Sequence, residues 1–207
     1  MLLINKFMTE KKSELHLTFS TPIWTSIIPN YKDVNDKMFK YIKSLQSQNP
    51  DGIVKSNVLG WHSPSFSLNK EEPRFFINSI ATSLDKVFRD MAWNLKDQKT
   101  KITSMWAVIN KQNASNARHI HSNNYISSAY YVKASPKCGN IIFYDPRSVT
   151  SFRYPKITNP NQLNSTVFSI QPKEGLLVLF PSYLYHSVDL NKTDEERIVI
   201  SFNINLV

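Results

Sequence analysis

The hydrophobic pattern of this 207-residue chain changes period near residue 100. Before that point, apolar positions recur mostly at helical spacing. After it they alternate, in short runs broken by turn residues. Residues 14–28 open with alternation at Leu15, Leu17 and Phe19 and meet Pro22, which predicts an edge strand. Val34, Met38, Tyr41, Ile42 and Leu45 predict a helix over 33–47, with Asp33 able to cap its first turn. Residues 48–70 have no clear period. A second helix is predicted over 72–96: Pro73 suits its first turn, and Phe76, Ile80, Leu84, Val87, Phe88, Met91 and Leu95 form one apolar stripe. Eight strand-like runs follow, at 101–110, 117–121, 124–134, 140–145, 165–171, 175–180, 184–190 and 196–206.

Helices first and strands second point to an α+β fold, mainly β, with helices on one face of an antiparallel system of the sandwich or jelly-roll type. The gap at 146–164 is long for a hairpin and holds Pro146, Pro155 and Pro160 with Arg147, Arg153 and Lys156. It reads as a functional loop or lid. No repeat or low-complexity linker divides the chain. The expected organisation is one domain over 1–207, with a flexible tail at 1–13, a helical part at 30–97 and a β core at 100–207. Met8 is an alternative start, which would make residues 1–7 an extension.

Composition narrows the function. Four glycines leave no room for a phosphate-binding glycine loop, and no Gly-x-Gly-x-x-Gly or Gly-Lys-Ser/Thr motif is present. Cys138 is the one cysteine, so no intrachain disulfide can form, and a reducing, cytoplasmic compartment fits. No apolar run has the length of a membrane span. The formal charge of +9 favours acidic ligands. Its lysines and arginines are dispersed and not interleaved with aromatics, which argues against a nucleic-acid groove.

The candidate chemistry lies in the histidines. His119 and His121 stand at i and i+2, on one face of an extended strand, and His186 follows alone between two strand-like runs. A close pair plus a distant single can supply three protein ligands and leave other positions on a metal open. Arg197 opens the last run and shares a strand face with Val199 and Ser201. Its neighbours on both faces are largely apolar, so it should be buried, and a buried guanidinium needs a partner. That partner is either a protein carboxylate such as Asp189 or Asp194, or the carboxylate of a small acid gripped by the guanidinium fork.

This array resembles the iron(II)- and 2-oxoglutarate-dependent dioxygenases, whose double-stranded β-helix is a distorted jelly roll. More narrowly, the chain is similar to a family of 2-oxoglutarate–iron oxygenases found in bacteria and marine phages. The stretches that carry the similarity are NVLGWHS from Asn57, Trp106 to Asn110, HIHSNNYISSAYYV from His119, GNIIFYDPR from Gly139, EGLLVLFPSYLYH from Glu174, and ERIVISFN from Glu196. The resemblance implies that His119, His121 and His186 hold Fe(II) and that Arg197 pairs with the distal carboxylate of 2-oxoglutarate. It places Tyr131 and Ser201 beside that carboxylate, and Ser127 on the same pocket-lining face of the strand as Tyr131. Tyr130 then points into the core. Asp145 and Arg147 close a strand at the lid, where they either contact substrate or form a local ion pair.

The implied partners are 2-oxoglutarate, O2 and a prime substrate whose identity the resemblance does not give. The implied reaction is hydroxylation of that substrate, with decarboxylation of 2-oxoglutarate to succinate. His121 departs from the wider superfamily, which usually has a carboxylate there, and the change leaves a site of charge +2 instead of +1. Four alternatives stay open: a three-histidine, cupin-like dioxygenase that does not use 2-oxoglutarate, a different metal in the site, a carboxylate from outside the motif completing the shell, and a non-enzymatic jelly-roll binding module.

Overall fold

The computed structural model describes residues 13–147 and 155–207. Residues 1–12, nearly all of the expected tail, and 148–154, the middle of the expected lid, lie outside the described residues.

Among the described residues, eleven strands and two helices run in the order β1 (Trp24–Ile27), α1 (Tyr31–Gln48), β2 (Asn57–Val58), β3 (Trp61–His62), α2 (Glu71–Asp90), β4 (Thr100–Asn110), β5 (Ser115–His119), β6 (Ile126–Lys133), β7 (Ile141–Tyr144), β8 (Val167–Ile170), β9 (Leu176–Pro181), β10 (His186–Val188) and β11 (Arg197–Leu206). All eight strands expected after residue 100 are present. They form a six-stranded sheet ordered β1-β9-β6-β11-β4-β3 and a five-stranded sheet ordered β2-β5-β10-β7-β8. Every pairing is antiparallel. Two antiparallel sheets with helices on one face make the double-stranded β-helix, so the expected fold class holds.

Strand parity sorts the residues into two cores. On β11, Ile198, Ile200, Phe202 and Ile204 face the helices and are fully buried. They meet Val34, Met38 and Ile42 of α1 and Phe76, Ile80 and Val87 of α2. Phe76 packs on the rings of Tyr130 and Phe202, with centroids 5.0 and 6.1 Å away. Tyr130 is core, as expected, and its hydroxyl donates to Asn35 Oδ1 at 2.6 Å. The opposite face of the large sheet, with Ala129, Tyr131, Val178 and Phe180, meets Ile141 and Phe143 of the smaller sheet. The candidate site opens in this second layer.

Four local expectations are corrected. Leu15, Leu17 and Phe19 are exposed and form no strand; the edge strand is β1, after Pro22, paired to β9. Alternation alone did not provide a sheet for those side chains to cover. Helix α1 begins at Tyr31 with Asn30 as its N-terminal cap in the left-handed region, so Asp33 lies inside the first turn rather than capping it. Helix α2 ends at Asp90, short of Leu95. Ala92 takes φ of 50° and turns the chain, letting Trp93 fold back on Phe88 at 6.0 Å. Residues 48–70 contain β2 and β3, two-residue strands too short to show a period.

Candidate metal centre and acid pocket

The three histidines converge because of strand register. His119 ends β5 and lies directly across from His186, which starts β10. His121 is two residues further on, its backbone N–H donating to Ser182 O at 3.0 Å. One nitrogen from each ring falls within 4.8 Å of the others, and His119 Nε2 is 3.2 Å from His121 Nε2. Phe180 and Phe143 form an apolar floor under His186, with ring centroids 4.7 and 6.1 Å away.

The other ring nitrogen of each histidine is committed. Nδ1 of His119 faces Ala117 O at 2.7 Å, Nδ1 of His186 faces Leu184 O at 3.0 Å, and Nδ1 of His121 faces Asn203 Oδ1 at 2.7 Å. All three partners are acceptors, so each Nδ1 carries the proton. Burial lowers the pKa of all three rings, to about 4 for His121 and about 3 for His186, so they are neutral near pH 7 and each Nε2 presents a bare lone pair. Two lone pairs 3.2 Å apart repel unless a cation lies between them. Nitrogen ligands about 2.1 Å from one ion, at right to tetrahedral angles, lie roughly 3.0–3.4 Å apart. The donor set therefore fits a divalent ion.

The pKa shifts predict acid sensitivity. The folded protein holds His121 and His186 in their neutral forms, whereas the unfolded chain protonates near the ordinary value of 6.5. In the metal-free protein this contribution to stability is complete above pH 6.5 and is lost progressively as pH falls toward 4. Urea unfolding across that range should show it, with metal binding weakening over the same window because protons and metal compete for Nε2.

Asn203, which sequence reasoning missed, holds His121 in place. It is buried, and its Oδ1 accepts from both His121 Nδ1 and Ser127 Oγ, the latter at 2.9 Å. Its Nδ2 donates to Ser104 Oγ at 3.2 Å. Strand parity could have found it, since it continues the face of Arg197, Val199 and Ser201. Asn203→Leu should weaken metal binding about 10- to 100-fold, the usual cost of losing such an orienting partner, as measured by competition with a chelating dye. Ser127 shares this network, with Ser182 Oγ at 2.7 Å. It therefore sits behind His121 and is absent from the residues lining the cavity.

A cavity of about 340 Å³ opens on the histidines and runs to Arg197, Tyr131 and Ser201. Arg197 is 1% exposed. Its Nη1 donates to the carbonyls of Cys138 at 2.5 Å, Gly139 at 3.1 Å and Asp189 at 3.3 Å. Neither the Asp189 nor the Asp194 carboxylate pairs with it, and no carboxylate among the described residues does. Its Nη2 is buried without a hydrogen-bond partner. Gly139, at φ of 94°, leaves space for the guanidinium; a Cβ there would come within 2.6 Å of Nη1. Burial raises the pKa of Tyr131, keeping its phenol protonated as a donor beside Arg197. An orphaned cationic donor in a cavity that no carboxylate of the described residues lines calls for an anionic ligand.

Asp145 and Arg147 are not among the lining residues. Arg147 Nη2 bonds Asp145 Oδ2 at 2.7 Å, a local ion pair just beyond β7 that holds the Asp145 carboxyl below its ordinary pKa. Cys138 is buried; burial raises its thiol pKa, and its carbonyl serves Arg197. Among the described residues, no helix is long and apolar enough to cross a membrane.

Residues 104–203 match the family model described as "Putative 2OG-Fe(II) oxygenase". No curated protein matches the chain. Solved structures resemble it in fold. A Pseudomonas putida prolyl-4-hydroxylase aligns with a TM-score of 0.63 at 10% identity, over 90% of this chain and 93% of its own. A Trichoplax adhaerens prolyl hydroxylase, solved with a hypoxia inducible factor peptide, aligns at 0.62 and 12% identity, over 89% of this chain and 84% of its own. A viral collagen prolyl hydroxylase from Paramecium Bursaria Chlorella virus-1, solved with 2OG, aligns at 0.56 and 12% identity, over 88% of this chain and 94% of its own. Residues 104–203, the stretch that matches the 2OG-Fe(II) oxygenase model, carry the histidine cluster and Arg197.

Proposed function

We propose that the protein is an Fe(II)- and 2-oxoglutarate-dependent dioxygenase that hydroxylates a second substrate while decarboxylating 2-oxoglutarate to succinate. His119, His121 and His186 hold the metal through Nε2. Arg197 receives the distal carboxylate of 2-oxoglutarate, with Tyr131 and Ser201 as hydroxyl donors beside it. Iron supplies the oxygen chemistry when bound, and three protein ligands leave positions open for the 2-oxo acid and O2.

This chain's own residues fix geometry and charge. The Nδ1 partners lock three rings in the ligating tautomer. The Phe143 and Phe180 floor excludes water from beneath His186. Arg197 is anchored by three carbonyls before any ligand arrives, so little ordering remains to be done on binding.

The observation that carries this reading is the buried Arg197 guanidinium with an unpartnered Nη2, lining the same cavity as three bare Nε2 atoms. A three-histidine enzyme that ignores 2-oxoglutarate, or a non-enzymatic module, has no use for that cation. Calorimetric titration of 2-oxoglutarate into the anaerobic iron-loaded protein should show one-to-one binding, and no binding would overturn the reading.

A further inference from the structure

The cavity has a second set of lining residues, built by residues 53–65 and the neighbouring strands. His62 dominates it. The ring is 7% exposed and lies parallel to Trp106, at 5.7 Å and 10°, while Trp106 leans on His121 at 5.5 Å. Its Nδ1 faces Ser63 O at 2.6 Å and so carries the proton. Its Nε2 is then an acceptor, and it has no hydrogen-bond partner among the described residues. The backbone around it is clamped. Ser63 N–H donates to Ala107 O, Ala107 N–H donates to Ser63 Oγ, and Ile53 N–H donates to His62 O. His62 is thus a fixed, nine-tenths buried acceptor lining the cavity, outside the three-histidine cluster.

Charge completes the site. Among the described residues, no aspartate or glutamate lines the cavity, and the charged lining residues are Arg197 and Lys55. Lys55 forms no ion pair among the described residues and stands close enough to His62 to influence its titration. Three neutral imidazoles leave a divalent ion at +2, which a 2-oxoglutarate dianion cancels. Arg197, buried, and Lys55, exposed, then keep the loaded cavity positive, a field that favours anionic over cationic ligands.

We propose that the His62–Lys55 end of the cavity binds the second substrate, and that it selects an anionic molecule carrying an N–H or O–H donor and rejects cations. The donor meets His62 Nε2 and the anionic group meets Lys55. This assignment rests on the proposed dioxygenase reading, because it places 2-oxoglutarate at the Arg197 end.

The test uses full-length protein loaded with Zn(II) and saturating 2-oxoglutarate, so that the Arg197 end is occupied and no turnover occurs. Four probes are compared by ligand-observed NMR: N-acetylaspartate and N-acetylphosphoserine (anions with an N–H), N-acetyl-N-methylaspartate (the same dianion without one) and N-acetyllysine amide (a cation). The two N–H anions should bind, with the stronger of the pair telling carboxylate from phosphate. N-acetyl-N-methylaspartate should bind about threefold to tenfold more weakly, the value of one hydrogen bond, and the cation should not bind. His62→Phe, which keeps the ring stack, should erase the difference between N-acetylaspartate and its N-methyl analogue, and Lys55→Gln should weaken every anion.

Preferential binding of the cation, no binding by any probe, or unchanged anion binding in both variants would overturn the proposal. Affinity for 2-oxoglutarate, measured in parallel, separates the two failures. If it is intact in the wild type while the probes fail to discriminate, only this assignment falls. If His62→Phe also loses 2-oxoglutarate, the charge series on wild type and Lys55→Gln decides.

Discussion

Arg197→Met should weaken 2-oxoglutarate binding by about 2–5 kcal/mol, roughly 30- to several-thousand-fold, because the substitution removes one partner of a buried, hydrogen-bonded charge pair. Methionine retains an apolar stem in the same space, so the loss reports the guanidinium rather than a hole. Arg197→Lys should fall between the two. It keeps the charge but not the planar fork, and it cannot reproduce both the anchoring to the Cys138, Gly139 and Asp189 carbonyls and a bond to the ligand. Stability should respond differently. In the ligand-free protein Arg197 has three carbonyl partners and, among the described residues, no carboxylate within ion-pair distance, only the longer-range attraction of Asp189, so Arg197→Met trades a costly buried charge for unpaired carbonyls, and the two effects oppose each other. Titration calorimetry with thermal melts of the ligand-free proteins checks both, and an unchanged dissociation constant in Arg197→Met would remove 2-oxoglutarate from this end of the cavity.

His186→Ala should largely abolish metal binding. Sharing the roughly 10–16 kcal/mol of a four-ligand zinc site equally gives about 3–4 kcal/mol per ligand, or some two to three orders of magnitude in affinity. Removing the ring also opens space above Phe180, so the melting temperature of the metal-free variant must be measured beside its Zn(II) affinity. His121→Asp is the sharper companion. A carboxylate there lowers the charge of the centre from +2 to +1, which should preserve metal binding while weakening the dianionic 2-oxoglutarate. If His121→Asp instead binds 2-oxoglutarate more tightly, the charge of the centre is not what His121 contributes.

Much of this was legible in the chain because β-strands write their two faces into alternate residues. The eight strands after residue 100, the inward turn of Arg197 and Ser201 and the meeting of His119 with His186 follow from parity and from antiparallel pairing. Where the reading fell short, the cause was local. Leu15, Leu17 and Phe19 alternate without a sheet to cover, and two-residue strands such as β3 carry no period at all. Asn203 lay in plain view on the face of Arg197, but nothing in a sequence says which histidine nitrogen it will meet. His62 stood in a quoted motif, yet its free acceptor depends on the carbonyl of the next residue and on the clamp to β4. That no carboxylate of the described residues pairs with Arg197 is likewise a fact of packing, since Asp189 was close enough in sequence to have supplied one.

Strand β11 gives its odd-numbered residues 197–203 to the cavity and its even-numbered residues 198–204 to the helices. A slip of one residue against β4 or β6 would push Arg197 and Asn203 into the apolar layer and turn Ile198 and Phe202 toward the histidines. The pairing with β6 shifts between Ile198 and Val199, just after Arg197, and the pairing with β4 shifts between Asn203 and Ile204, just after Asn203. The strand thus proofreads its own placement: the contacts that close the hydrophobic layer also aim the guanidinium and the amide, so a chain that has completed its core has no further step in which to mis-set this strand's part of the catalytic pocket.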